Sequence, residues 1–254
     1  MSRRPTRSGG SGGARASDNA GDAVKALVRR YGLHAGAAGA LLALTELLAH
    51  DEHAPSAVRD PRAAVDVHLA DSLVALELVA VGRAREIVDL GAGAGFPGLP
   101  LAIALPHAHL TLLEASARRA AFLERAVAVA GVSTVDVVNA RAEEWKEGLG
   151  ACDVVLARAL APLPVVVEYA APLLRVGGDL IVWRGQRDAE TERAAARAAA
   201  ELGLEPAPPR RVHPYPGAKH RYLHLMSKVR ATPARFPRRP GVALKRPLGV
   251  SGGA

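Results

Sequence analysis

Four glycines within eight positions are the feature of this sequence that most directly implies chemistry. Residues 88–98 read V-D-L-G-A-G-A-G-F-P-G, and the apolar pair Ile87-Val88 leads into them. Glycine tolerates positive φ, and its missing side chain lets a ligand approach the main chain. A helix that begins after such a loop adds free N–H groups at its first turn. The stretch therefore predicts a ligand-binding loop between a buried strand and a helix.

The spacing of these glycines is compatible with two classes of cofactor. Gly93, Gly95 and Gly98 give G-x-G-x-x-G, the pattern of loops that bind the pyrophosphate of a dinucleotide. Counted from Asp89, the loop reads D-x-G-x-G-x-G and resembles the first motif of class I S-adenosylmethionine (SAM) methyltransferases. SAM presents an amino acid moiety and an adenosine, and it carries no phosphate. The loop alone leaves both classes open.

A carboxylate at the end of the next apolar run narrows the choice of cofactor. Glu114 follows Leu112-Leu113, about twenty residues after the glycine loop. At this position a carboxylate accepts hydrogen bonds from both ribose hydroxyls, which fits SAM and NAD equally and disfavours a ribose phosphate. The alternative is a solvated strand end. Further along, residues 139–144 read N-A-R-A-E-E. Resemblance to SAM enzymes implies a loop beside the adenine here, and the alternative is the acidic first turn of a helix.

These residues need a framework of alternating strands and helices, which the hydrophobic pattern supplies. Strands are predicted at 86–91, 109–115, 135–140, 152–157 and 180–183, with a terminal antiparallel hairpin at 211–215 and 222–229. Helices are predicted at 22–31 and 36–50, from Pro61 onward, from the glycine loop to Leu105, and at 118–130, 163–175 and 189–202. This alternation predicts an α/β fold with a Rossmann-like doubly wound sheet, mainly parallel, preceded by N-terminal helices.

Length and composition indicate a soluble globular chain. Of the 254 residues, 49% are hydrophobic and 23% are charged. The single cysteine, Cys152, excludes an internal disulfide and a cysteine-based metal cluster. No apolar run approaches the length of a membrane span, and the first residues lack the apolar core of a secretory signal. We therefore expect a cytoplasmic protein without a membrane contact and, because no long exposed apolar stripe is visible, a monomer.

Positive charge is concentrated at the two ends of the chain. Residues 1–16 carry four arginines and residues 210–254 carry eleven lysines or arginines, and neither segment contains an acid. The middle holds 18 basic and 25 acidic residues. This asymmetry indicates a polyanionic partner bound by the ends, with solubility as the alternative role. We divide the chain into four predicted regions: a disordered basic tail at 1–20, a helical region at 21–82, a SAM-binding core at 83–230 and a basic tail at 231–254.

Several short motifs occur in one order along the chain. They are H-L-A-D-S-L at 68–73, the glycine loop, R-R-x-x-F-L at 118–123, A-R-A-E at 140–143, A-R-A at 157–159, R-G-Q at 184–186, H-R at 220–221 and P-R-R-P-G at 237–241. From about residue 59 to Leu248 the chain therefore resembles the bacterial 16S rRNA guanine-N7 methyltransferase family, also called glucose-inhibited division protein B. It departs from the family at Ala54-Pro55-Ser56, where Asn-Leu-Thr is common, and at Arg184, where lysine is usual.

The resemblance implies a SAM-dependent enzyme that methylates N7 of a guanine, position 527 in the 530 loop of 16S rRNA, on the small ribosomal subunit. By motif position, the residues expected to bind SAM are Gly91, Gly93, Phe96, Glu114, Ala142, Glu143 and Arg158. The candidates for RNA contacts are Arg118, Arg119, Arg141, Arg184, His220, Arg221, Arg238, Arg239, Lys245 and Arg246. Such contacts to phosphates position RNA without reading its sequence.

The chemistry of guanine N7 sets what the protein must supply. N7 has a lone pair and no proton, so its attack on a methyl group needs no general base. We therefore predict no catalytic His or carboxylate, and a rate that comes mainly from in-line placement. Arg158, at the end of the fourth strand, is assigned a positioning role. His68 and Asp71 share a helix face, but two ligands are too few for a metal; no metal is expected, and a structural lid is predicted there.

Two other functions are compatible with parts of the sequence. A NAD-dependent oxidoreductase on the same fold needs a Tyr-x-x-x-Lys pair, and only Tyr215 and Lys219 have this spacing, inside a turn rich in Pro and Gly. A non-enzymatic RNA-binding ribosome-assembly factor fits the basic ends. It leaves the glycine loop and Glu114 without a role.

Overall fold

An eight-stranded, mostly parallel sheet forms the centre of the protein. The structure is a computed structural model that describes residues 11–250, with side chains from Asn19 onward. The strands are β1 Glu86–Leu90, β2 His109–Leu113, β3 Val135–Val138, β4 Cys152–Arg158, β5 Leu174–Arg184, β6 Leu204–Pro206, β7 Arg210–Arg211 and β8 Tyr222–Lys228. Their order is β3-β2-β1-β4-β5-β8-β6, with β7 paired to β8. Strands β1 to β5 are parallel and β8 is antiparallel to β5, which confirms the predicted sheet. The direction of strand progression reverses between β1 and β4, where ligands bind in such sheets.

Helices cover both faces of the sheet. They are α1 Ser11–Tyr31, α2 Ala37–His50, α3 Pro61–Glu77, α4 Val79–Arg83, α5 Gly98–Ala104, α6 Ala117–Ala130, α7 Leu163–Ala170, α8 Ala189–Leu202 and α9 Val242–Lys245. Ile87 of β1 points into a core formed with helices α1 to α6, whereas Val88 and Leu90 pack with α7 and α8. Because both faces are buried, the central strands are nearly continuous apolar runs. None of the described helices is both long and apolar enough to cross a bilayer.

Helix α3 changes its winding along its length. It begins as an α-helix, Pro61–Ala64, continues as a π-helical segment, Val65–Ala70, and as Asp71–Leu73, and ends as a 3-10 helix, Val74–Glu77. Its start is capped by Asp60, whose carboxylate accepts a hydrogen bond from the Ala63 N–H at 2.7 Å. π-helical turns within a helix are frequent at functional sites. Here it carries His68, one residue of the predicted lid.

Three predicted boundaries differ from the structure. Residues 1–10 of the predicted tail lie outside the described residues, and residues 11–20 belong to α1. The helix predicted at 163–175 ends at Ala170, because Leu174 already pairs with Cys152 as the start of β5. Gly178 lies inside β5, where a Cβ would be 2.8 Å from the carbonyl oxygen of Asp153. The first hairpin strand shrinks to β7, and the short strand β6 was not predicted.

Candidate active site

The glycine loop leaves β1 at the switch point and turns sharply into α5. Gly91, Gly93 and Gly95 have φ values of 71°, 59° and 88°, the left-handed region that glycine tolerates. A Cβ on Gly91 would lie 2.5 Å from Leu160 Cδ1, and one on Gly98 would lie 2.8 Å from Asp89 Oδ2. The missing side chains therefore serve the turn and its packing as well as any ligand.

The Asp89 side chain holds the two ends of this loop together. Its side chain is buried, and its Oδ2 accepts a hydrogen bond from the Gly98 N–H at 2.8 Å. The bond ties the end of β1 to the first turn of α5. Burial raises the pKa of the Asp89 carboxyl to about 7, against the lowering effects of the Gly98 bond and of the Arg158 charge.

Replacing Asp89 with asparagine is expected to change how stability depends on pH. In the unfolded chain an aspartate titrates near pH 4. Because the folded-state pKa is higher, the native state holds more protons between pH 4 and 7, and the stability from this group is lost as pH rises through that range. Asparagine keeps an acceptor for Gly98 and does not titrate. From pH 4 to pH 8 the variant should therefore gain about 4 kcal/mol on the wild type in urea unfolding. A difference that is constant with pH would contradict the assignment.

Glu114 connects the ends of β2 and the glycine loop. Its Oε2 accepts the Gly93 N–H at 3.0 Å and its Oε1 accepts the Ser116 N–H at 2.9 Å. Arg119 lies 3.8 Å from Oε1, and the Glu114 side chain is only 5% exposed. A carboxylate accepts about four hydrogen bonds, so lone pairs remain for a ribose after these two. Asn139, after β3, supports the same corner by donating to the Glu114 carbonyl oxygen at 2.8 Å.

A small, mainly apolar cavity of about 150 Å³ lies at the carboxyl ends of β1, β2 and β3. Its lining residues are Leu90, Gly91, Leu113, Ala115, Ala140, Arg141, Ala142, Glu143, Leu160, Ala161, Tyr169 and Leu244. Three of the residues expected to bind SAM, Gly91, Ala142 and Glu143, therefore face one space. Its apolar walls and the neighbouring Glu114 carboxylate suit a nucleoside, with the base in the cavity and the sugar at the carboxylate.

A larger cavity of about 470 Å³ adjoins the smaller one. It is lined by Val58, Val67, His68, Asp71, Arg158, Ala159, Trp183, Arg184, Gly185, Gln186 and Arg221. The two cavities are linked through the loop after β4, where Ala159 faces the larger one and Leu160 the smaller one. Ala159 has a φ of 54°, a conformation that costs energy in a residue other than glycine and occurs mainly at functional sites.

One buried carboxylate holds two arginines at this larger cavity. Arg158 donates from Nη1 to Asp71 Oδ2 at 3.0 Å, and Arg221 donates from Nε to Asp71 Oδ1 at 3.0 Å. The Asp71 side chain is 4% exposed, whereas those of Arg158 and Arg221 are 17% and 35% exposed. The cluster therefore presents a net positive charge to the cavity, and the buried carboxylate holds both guanidinium groups in place.

His68 accepts a hydrogen bond from Arg158 and is therefore neutral. Arg158 donates from Nη2 to His68 Nδ1 at 3.1 Å, and the His68 ring stacks on Phe96 with centroids 4.6 Å apart. Since arginine only donates, Nδ1 accepts, and the proton lies on Nε2, which is 2.9 Å from Ser56 Oγ. Burial, together with the Arg158 charge, lowers the pKa of His68 to about 4. Phe96, a predicted SAM contact, is thus buried beneath His68.

The residues predicted to contact RNA fall into three groups. Arg184 and Arg221 line the larger cavity, and Arg141 lines the smaller one. Exposed residues that line neither cavity are Arg118, Arg119, His220, Arg239, Lys245 and Arg246. Arg238 differs from all of them, because its guanidinium makes a two-pronged ion pair with the buried Glu168. Within residues 11–250, no three His, Cys, Asp or Glu side chains lie close enough to share a metal ion.

Sequence reasoning missed several residues of the two cavities. Leu160 and Tyr169 stand in apolar or mixed stretches where nothing marks a ligand contact, and Leu244 falls in the predicted basic tail. Asp71 was assigned to the lid, but its pairing with two distant arginines has no local signal. Tyr215 and Lys219, the pair that an oxidoreductase would need, lie in the loop between β7 and β8 and line neither cavity.

Comparison with known proteins agrees with this geometry. The family described as GidB, rRNA small subunit methyltransferase G, matches residues 45–208. Ribosomal RNA small subunit methyltransferase G of Rubrobacter xylanophilus is 40% identical over 196 residues, 75% of each chain. The protein of the same name from Chloroflexus aggregans is also 40% identical and covers 76% of this chain and 82% of its own.

Solved structures show the same fold. A predicted O-methyltransferase from Agrobacterium tumefaciens superposes with a TM-score of 0.50 at 27% identity, covering 64% of this chain and 83% of its own. Geranyl diphosphate methyltransferase in complex with SAM gives a TM-score of 0.50 at 18% identity over 63% and 84%, which shows the fold alone. These relatives support neither an oxidoreductase nor a non-enzymatic assembly factor. The chain belongs to the rRNA small subunit methyltransferase G family and is a SAM-dependent methyltransferase.

Proposed function

We propose that this protein transfers the methyl group of SAM to N7 of a guanine in small-subunit rRNA. The observation that carries the proposal is the pair of adjoining cavities, one apolar and beside Glu114, the other positively charged through Arg158 and Arg221. The first suits the nucleoside of the cofactor and the second suits an electron-rich base edge with its phosphate. When bound, SAM supplies an electrophilic methyl group on a sulfonium.

The residues of the larger cavity orient the acceptor. Arg158 has five N–H donors, and the contacts with Asp71, Val67 and His68 use three of them in the described part of the chain. The two that remain can fix guanine O6 or a phosphate oxygen. Because the guanine gains positive charge when N7 is methylated, a guanidinium gives no electrostatic help there. Its contribution is orientation, which is worth several powers of ten when reacting atoms are held in line.

No step of this transfer needs a proton acceptor on the protein. N7 carries no proton, and His68, the imidazole closest to Arg158, is committed to hydrogen bonds with Arg158 and Ser56. Asp71 is committed to two arginines. Both side chains therefore act as positioning residues, as expected for a reaction governed by alignment.

Basic residues near the two cavities form the proposed RNA surface. Arg141, Lys245 and Arg246 flank the smaller cavity in sequence or space, and Arg184 and Arg221 border the larger one. Arginine and lysine at such positions neutralise phosphates and release counterions. The partner is then rRNA of the small subunit, bound in the cytoplasm by a single copy of the chain.

Methylation is expected to weaken steeply as salt rises. With about five phosphate contacts, kcat/KM for RNA should fall about 100-fold or more between 50 and 200 mM KCl. The double variant Lys245→Ala/Arg246→Ala should lower the slope of log(kcat/KM) against log[salt] by about 0.7 to 0.9 per contact removed. Binding of SAM, measured in parallel, should hardly respond to salt. A flat salt profile for RNA would rule out the basic surface as the RNA contact.

Transfer from labelled SAM to three substrates tests the proposed function. Naked 16S rRNA, free small subunits and 70S ribosomes are compared under single-turnover conditions, and calorimetric titrations with SAM and NAD run beside them. Binding of SAM and label in at least one rRNA substrate are expected. Binding of NAD in preference to SAM, or SAM binding without transfer to any of the three, would overturn the proposal.

A further inference from the structure

The chain downstream of β8 returns to the smaller cavity. The family match ends at residue 208, whereas Leu244, in α9, lines the smaller cavity. Phe236 and Ala243 of the same segment are buried against the core. A segment predicted as a basic tail therefore forms one wall of the space assigned to the nucleoside. We call residues 231–250 the C-terminal strap.

Three contacts hold the strap in place around α9. The Gly241 N–H donates to Glu143 Oε1 at 3.0 Å, just before the helix begins. Arg238 pairs through Nε and Nη2 with the Glu168 carboxylate on α7, which is 3% exposed. The same Arg238 Nη2 donates to the Arg246 carbonyl oxygen at 2.9 Å, just after the helix ends. The Glu143 bond thus holds the start of α9, and Arg238 ties its end to α7.

Leu244 is poorly explained as a packing residue. It is 54% exposed, although it borders a cavity whose other walls include Leu160 and Leu113. A ligand in that cavity would remove water from these surfaces together, and burial of apolar area favours binding. The exposed side chain therefore has a use once the cavity is filled.

Its position also indicates which end of the cofactor it meets. The methyl group must reach the larger cavity, where Arg158 and Arg221 lie, and Leu244 does not border that cavity. It lines the smaller cavity together with Ala140 and Ala142, which follow β3, and with Leu160, which follows β4. The space that its side chain borders is therefore the one assigned to the nucleoside.

We propose that Leu244 contacts the nucleoside part of SAM and sets cofactor affinity, and that Arg238 is a positioning residue that holds Leu244 in place. The inference rests on the proposed use of the smaller cavity by SAM. It gives neither residue a contact with an RNA phosphate, and it makes the strap part of the cofactor site.

The variant Leu244→Ala tests the contact. The Kd for SAM should rise about five- to tenfold, the Kd for adenosine should rise by a similar factor, and kcat at saturating SAM should stay unchanged. Leu244→Met should restore most of the affinity. The matched control is Leu149→Ala, since Leu149 is 43% exposed and borders neither cavity. An unchanged Kd for SAM, or a Kd that rises for SAM alone and not for adenosine, would overturn the inference.

A double-mutant cycle tests the positioning role. Because Arg238→Gln alone leaves Glu168 buried without its cation, the pair is neutralised together as Arg238→Gln/Glu168→Gln. This change should weaken SAM binding about fivefold by itself and add much less in the Leu244→Ala background, since both act through one contact. Fully additive effects, or no effect in a variant whose thermal unfolding stays cooperative, would contradict it. Failure of rRNA methylation by a wild type that binds SAM would refute the proposed function and leave this inference standing.

Discussion

Replacement of Arg158 by alanine should lower the single-turnover rate of rRNA methylation about 100-fold or more at saturating SAM and RNA. The guanidinium is fixed by Asp71, Val67 and His68 and borders the larger cavity. Its loss removes the fork that orients the acceptor, and misplacement of about 1 Å costs a factor of that size. Arg158→Lys should recover little, because an ammonium keeps the charge without the planar pair of donors.

Measurement of both SAM affinity and rate separates orientation from binding. Calorimetry should show that the Kd for SAM changes much less than the rate, while a quenched single-turnover assay shows the loss. Arg175→Ala is the control, because Arg175 pairs with Asp153 near the amino end of β5, whereas Arg158 lies at the carboxyl end of β4. If Arg158→Ala methylates rRNA at the wild-type rate once both ligands are saturating, Arg158 has at most a binding role.

The second large effect is expected at Glu114. Glu114→Gln should weaken SAM binding about 100-fold, which corresponds to about 3 kcal/mol. The two carboxylate oxygens each accept a backbone N–H, from Gly93 and from Ser116. Glutamine has one oxygen, so its NH2 group must face one of these donors, and the charge that strengthens bonds to the ribose hydroxyls is also lost.

The exposed Glu124 on α6 provides the matched control for this change. Glu124→Gln should bind SAM like the wild type, and thermal unfolding should show that Glu114→Gln remains folded at the assay temperature. SAM affinity within threefold of the wild type in Glu114→Gln would show that the carboxylate supports the loop alone.

The framework of the sheet was predictable because local patterns agree with the fold. Apolar runs bounded by glycine or proline predict β1, β2 and β4, and Gly131, with a φ of 63°, ends α6 as expected for a left-handed helix cap. The pattern around Gly177 was misread as a helix end. Both glycines lie in β5, and at Gly178 the carbonyl groups of Cys152 and Asp153 in β4 leave no room for a side chain, a contact that only the folded sheet reveals.

The candidate site was predictable only where it follows the strand ends. The glycine loop and Glu114 directly follow β1 and β2, and Ala142-Glu143 lie in the loop that follows β3, so their proximity is expected in a parallel sheet. The strap depends on Arg238 reaching Glu168 and on Gly241 reaching Glu143, contacts between residues that are far apart in sequence. Asp71 likewise joins arginines from β4 and from the start of β8. No periodicity or composition announces such pairings.

Identification of the methylated atom is the most direct test of the proposed reaction. Small-subunit rRNA is methylated with labelled SAM, digested to nucleosides and analysed by mass spectrometry, and a parallel sample is cleaved with borohydride and aniline, which break the chain at 7-methylguanosine. A single 7-methylguanosine and one cleavage position are predicted. Label on a ribose hydroxyl or on an exocyclic amine, with no cleavage, would contradict methylation at N7.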